Sequence, residues 1–128
     1  MSRLISDLHP KVADLCNQFV ASCQQSGIDS LIISTYRSIE EQNLLYAQGR
    51  TTPGNPCLCG GHPNPIGTCQ QHPRGLHVTN AKGGESMHNY RLAFDFVPLI
   101  HGKPAWQNEA LFARCASIGE SLGLEWAG

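Results

Sequence analysis

The sequence predicts an α+β domain, a small, mostly antiparallel sheet with helices packed on one side and a long Cys/His-rich loop insertion at about 51–78. Three observations lead there. Apolar residues recur at helical spacing over residues 7–25, 38–49 and 107–122. Short runs of β-branched and aromatic residues, at 31–36 and 92–98, separate those stretches. The connection over 50–78 is too long and too rich in proline and glycine to be a simple turn. With 128 residues, the chain has the length of one domain built on a single core.

Composition narrows the function classes. A hydrophobic fraction of 41% with 15% charged residues describes a soluble globular protein. The net charge of −1 offers no basic field for nucleic acid or an anionic membrane. No apolar run has the length of a membrane span. The first residues, Met1-Ser2-Arg3-Leu4-Ile5-Ser6-Asp7, lack the apolar core of a signal peptide, so cytoplasmic synthesis without export is expected.

In chain order, the first helix is expected over 7–25, with Asp7 as its cap and Pro10 in its first turn. Val12, Leu15, Phe19 and Cys23 form its apolar stripe, and Gly27 ends it. A buried strand follows at 31–36. The second helix starts at a capping box, Ser38-Ile39-Glu40-Glu41, turns Leu44, Leu45 and Tyr46 inward, and stops at Gly49. Beyond the loop, 78–82 reads as a short strand, 92–98 as the central strand and 101–104 as a tight turn. The last helix, over 107–122, points Leu111, Phe112, Cys115, Ile118 and Leu122 at the core. Gly123 stops it, and a further strand is expected at 124–126.

The six cysteines divide into two sets. Cys16, Cys23 and Cys115 lie in helical stretches and read as small buried hydrophobes. Cys57, Cys59 and Cys69 lie in the loop with His72, in the order Cys-x-Cys and then Cys-x-x-His. Three thiolates and an imidazole suit closed tetrahedral zinc. A disulfide among the three cysteines and free thiols in an open loop are the alternatives; zinc is favoured.

Two further positions invite chemistry. His88 and Asp95 flank the point where a glycine-rich polar segment turns apolar, and Asp95 interrupts Ala93-Phe94 and Phe96-Val97. A carboxylate there needs compensation, and a metal shared with an imidazole would give it. The plainer reading has Asp95 ending its strand in water and His88 as an ordinary loop histidine. Arg37, between strand and helix, can hold an oxyanion in a cleft or pair with Glu40 or Glu41 at the surface. Gln42, one turn on, serves the same cleft or faces water.

These segments carry a resemblance. Ser86-x-His88-x-x-Arg91-x-Ala93-x-Asp95 resembles the Ser-x-His-x-x-Gly-x-Ala-x-Asp signature of the M15 or VanY-like zinc D-Ala-D-Ala carboxypeptidases and related phage endolysins. Ser34-Thr35-Tyr36-Arg37-Ser38-x-x-Glu41-Gln42, continued by Leu45-Tyr46-x-x-Gly49-Arg50-Thr51, resembles the family's upstream arginine segment. The last six residues, from Gly123 to the end, look like the strand before its final motif. The most similar subgroup is the endolysin L-alanyl-D-glutamate peptidases, which cut the peptide stem of peptidoglycan.

The resemblance implies a catalytic Zn2+ on His88 and Asp95, with Arg37 on the scissile carbonyl as it becomes an oxyanion. Ser86 and Gln42 are implied at the substrate, and a second, structural Zn2+ on Cys57, Cys59, Cys69 and His72 would be additional. It further implies a monomer that reaches the cell wall by holin-type release. A D,D-carboxypeptidase of the same family and an inactive wall-binding remnant are the alternatives.

Two departures stand out. Arg91 occupies the signature's glycine position, where a left-handed backbone would cost arginine about 1 kcal/mol. The family's third zinc ligand, in an Asp/Glu-x-x-His segment with the general base, is expected after Trp126, and the sequence stops first. A chain incomplete at its C-terminus is therefore expected, and Glu125 is not assigned as the base.

Overall fold

The computed structural model describes residues 1–127. They form two compact units, one of Met1–Tyr36 and the chain from Tyr90 onward, the other of Arg37–Asn89. The second unit is wider than the expected loop insertion, since it also takes in the second helix and the Ser86-x-His88 segment.

In the first unit a 3-10 turn, Ile5–Asp7, leads to helix α1 (Pro10–Gln25) and strand β1 (Asp29–Ser34). After Tyr90 come β2 (Asp95–Ile100), β3 (Lys103–Pro104) and helix α3 (Glu109–Ser121). The three strands form one antiparallel sheet in the order β1-β2-β3, so the strand bearing Asp95 is indeed central. In the register, Ile32 lies opposite Phe96, and both point at the face where α1 packs. Phe19 and Cys23 of α1 meet Ile28, Cys115 and the partly buried Leu111 and Ile118 of α3, with Leu122 just past its end, on that side. Helices α1 and α3 thus share one side of a small antiparallel sheet, as the α+β expectation requires.

Local details correct the sequence reading. Asp7 does not cap α1. It closes the preceding turn, where its carboxylate accepts the Ser2 hydroxyl at 2.5 Å, and His9 is the cap, its Nδ1 accepting from the Lys11 amide at 3.3 Å. Pro10 explains the shift. Proline fits the first helical position because it has no amide to leave unsatisfied, so the residue before it becomes the cap. The strand β1 is half-buried, with Leu31 exposed. β2 begins at Asp95, three residues later than expected, and Leu92 is exposed. No strand forms at 78–82 or at 124–126; apolar content alone cannot make a strand without a partner edge.

In the second unit, helix α2 spans Ile39–Ala47. The predicted capping box is present: Ser38 Oγ accepts from the Glu41 amide and Glu41 Oε1 from the Ser38 amide, each at 3.1 Å. Its inward residue is different from expectation. Leu44 is 68% exposed, and the side chain buried completely is Gln42. Polar anchoring, not an apolar stripe, seats this helix.

Candidate active site

Arg37, Gln42, Ser86 and His88 all belong to the second unit, joined by a continuous set of hydrogen bonds. Arg37 Nη1 donates to Gln42 Oε1 at 2.8 Å, and Gln42 Nε2 donates to the Ala81 carbonyl at 2.8 Å. Glu41 enters the capping box, and Gln42 accepts from the Arg37 guanidinium. The Arg37 amide in turn donates to the His88 carbonyl at 3.1 Å.

Ser86 begins the 3-10 turn Met87–Tyr90, its Oγ accepting from the His88 amide at 3.3 Å. This turn holds His88 at 8% exposure, so it is not a surface loop histidine. The residue that fastens the turn is Asn89. Its Oδ1 accepts from the amides of Gly84 and Ser86, and its Nδ2 donates to the carbonyls of Arg37 and Ser38. Sequence reasoning passed over Asn89. An amide offers two acceptor sites and two donors on one side chain, which makes it able to bind two segments at once. Its place directly after His88 was the available signal.

Asp95 belongs to the first unit. It opens β2 opposite Ser34, half-buried, where the register slips between Ile32 and Ser34. Such a bulge re-aims the side chains beside it and is frequent next to functional sites.

Arg91 also lies in the first unit, with φ of 64°, so the signature's glycine position does require a left-handed backbone. The arginine makes contacts glycine could not. Its guanidinium stacks 4.0 Å from the centre of the Tyr36 ring, and Nη1 donates to the Asp7 carbonyl at 2.7 Å. An exposed cation–π contact contributes about 0.5–1 kcal/mol and a hydrogen bond about 1, against a backbone cost of roughly 1–2. Arg91→Ala keeps the backbone cost and loses both contacts, so it should lower stability by about 1–2 kcal/mol in urea unfolding. Arg91→Gly relieves the strain as well and should fall by less than half of that. Equal losses for the two variants would contradict this balance.

The cysteines separate as expected. Burial pushes Cys16 and Cys23 up to about 12 and also raises Cys115, which makes these core thiols poor nucleophiles and ligands. In the loop, Cys57, Cys59, Cys69 and His72 bring one donor atom each to within 4.8 Å of one another. The Cys59 backbone amide, then the Asn64 side chain and neighbouring thiols, draw the Cys57 thiol down to about 6. Cys59 moves to about 11, chiefly because its thiol hydrogen-bonds to Cys57. Among the described residues no other set of three or more His, Cys, Asp or Glu donors stands close enough to share an ion.

His88 is therefore in no such donor group among the described residues. His72 lies with the cysteines, and His77 and His101 are exposed. Catalytic zinc takes three protein ligands. Of such a set, the signature contributes His88 and Asp95 among the described residues.

The first unit thus carries an antiparallel sheet opened by Asp95, and the second a buried Ser-x-His turn and an arginine fixed by a buried glutamine. The model of the VanY family, D-alanyl-D-alanine carboxypeptidase, matches residues 5–127, and the chain belongs to that family. Among curated relatives, it is 35% identical over 132 residues to the peptidoglycan L-alanyl-D-glutamate endopeptidase CwlK of Bacillus subtilis (strain 168). That match covers 96% of this chain and 66% of the relative, just under two thirds of the relative's length.

Proposed function

We propose that this chain carries the catalytic fold of a peptidoglycan peptidase that hydrolyses the L-alanyl-D-glutamate bond of the peptide stem. The observation that carries the reading is the motif Ser86-x-His88-x-x-Arg91-x-Ala93-x-Asp95 in a chain 35% identical to an endopeptidase of that specificity. His88 and Asp95 are assigned as ligands of a catalytic Zn2+. When bound, such an ion supplies Lewis acidity and a water of lowered pKa. The chain's own contribution is positional. Gln42, held on Ala81, fixes the Arg37 guanidinium, which stabilises negative charge as it appears on the scissile carbonyl. Ser86 and Asn89 keep the His88 turn in place. Among the described residues no helix is long and apolar enough to cross a membrane. Release from the cytosol by a holin, in the manner of a phage endolysin, is the proposed route to the wall.

The test is incubation of the chain with purified peptidoglycan and Zn2+, followed by identification of new termini. Newly exposed D-glutamate amino termini are expected, and His88→Ala or Asp95→Ala should abolish them. Cleavage that survives either substitution removes the ligand assignment. The family description supports a second reading, a D,D-carboxypeptidase, for which free D-alanine would be the product. Sedimentation with peptidoglycan and no product at any zinc concentration would leave a wall-binding module in place of an enzyme.

A further inference from the structure

The loop over residues 50–78 poses a physical problem. Its apolar side chains Leu58, Ile66, Leu76 and Val78 are all exposed, and its buried residues are Cys57 and Gly75 alone. A segment of that length with so little apolar burial cannot offset its ordering entropy by hydrophobic contact. Yet it has a defined path. Two arms run side by side: the Gly54 amide donates to the Arg74 carbonyl at 2.7 Å and the Leu76 amide to the Asn55 carbonyl at 2.8 Å. The arms touch so closely that a methyl group on Gly75, at φ 87°, would lie 2.5 Å from the Asn55 oxygen.

The donors are divided between the arms, Cys57 and Cys59 on the outgoing one, Cys69 and His72 on the returning one. His72 Nδ1 lies 3.5 Å from Cys59 Sγ and 3.7 Å from Cys69 Sγ. Tetrahedral zinc with bonds near 2.3 Å to sulfur spaces its ligand atoms by roughly 3.8 Å, so the spread of up to 4.8 Å closes with small side-chain movements. Asn64 supports the arrangement, its Nδ2 donating to the Cys59 carbonyl at 2.6 Å and to Cys57 Sγ at 3.4 Å. N–H donors on a sulfur ligand are the outer partners that tune metal–thiolate sites. All three loop cysteines are free, so no disulfide supplies the staple.

We propose that Cys57, Cys59, Cys69 and His72 bind one zinc ion as a closed four-ligand structural site that staples the two arms of the 50–78 loop. Three soft thiolates with one imidazole favour zinc over the harder magnesium or calcium, and four protein ligands leave no position for substrate. The site is separate from the metal assigned to His88 and Asp95, and it stands or falls independently of the peptidase reading.

Metal content and thiol protection test it. The reduced chain loaded with Zn2+ should hold a thiolate-bound ion that persists in His88→Ala and Asp95→Ala and disappears in Cys59→Ser and in His72→Ala. Co2+ in its place should show thiolate-to-metal charge transfer and the d–d bands of a tetrahedral ion. Should the loop variants fail to fold, the unsubstituted chain still decides. At free zinc a hundredfold above the dissociation constant the metal-free fraction is about one in a hundred, so alkylation of Cys57, Cys59 and Cys69 should slow about a hundredfold. Unchanged alkylation of these three cysteines, or a cobalt spectrum without thiolate bands, overturns the proposal.

Discussion

Arg37→Ala is expected to lower kcat on peptidoglycan by about 10²–10³-fold, the loss that follows removal of one donor to a developing oxyanion. The group is held for such a task. Its Nη1 lies 2.8 Å from the Oε1 of Gln42, a side chain with 0% exposure, and that amide is anchored in turn on the Ala81 carbonyl. A guanidinium fixed in this way needs no reorganisation when charge appears, and an interaction strengthened only in the transition state acts on kcat. The substitution also strips Gln42 Oε1 of its donor in a buried place, which costs about 1–3 kcal/mol of stability. The two effects separate by measurement. Activity is compared well below the unfolding midpoint, and the midpoint is followed by thermal unfolding. Arg37→Lys keeps a cation but loses the planar fork, so it should recover part of the stability and little of the rate. A variant that stays folded with unchanged kcat would remove Arg37 from the reaction and leave it a role in seating α2.

Phe19→Ala should reduce unfolding free energy by about 3–5 kcal/mol, a large part of the 5–15 typical of a domain. Phe19, on α1, is 2% exposed and is the hub of an aromatic cluster. Its ring centre lies 5.6 Å from that of Phe94 and 4.9 Å from that of Phe96, the latter edge to face. On its other side, a methyl group added at Gly119 of α3 would already lie 3.4 Å from the ring. One side chain therefore joins α1, the sheet and α3. Alanine there opens a cavity that three elements border, and none can close it without disturbing the other two. Denaturant unfolding should show a lower midpoint with an unchanged slope. A loss under 1 kcal/mol would mean that the helices are held to the sheet chiefly by other contacts.

Both predictions rest on residues of different legibility. Phe19 was visible from the start, since it recurs with Val12, Leu15 and Cys23 at the period of a helix. The buried state of Gln42 was not visible. A glutamine in a second helical turn usually faces water, and its two hydrogen bonds reach residues five positions before it and 39 after it. Leu44 misled for the same reason. Helix α2 is anchored by the hydrogen bonds of Gln42, so Leu44 need not face inward.

Local sequence sufficed for the α+β class, the capping box at Ser38, the division of cysteines between core and loop, and the motif that places the chain in its family. Each is written in neighbouring residues or in short periods, where local propensity and spacing act without help from distant chain. Other features arise only in the folded chain. Folding buried Gln42 between Arg37 and Ala81, made Asn89 the fastener of the His88 turn, and gave Arg91, at a left-handed position, Tyr36 and Asp7 as its partners. These depend on contacts between residues far apart in sequence. Hydrogen bonds and aromatic stacking at such separations leave no periodic trace along the chain; they exist only once folding has brought the partners together.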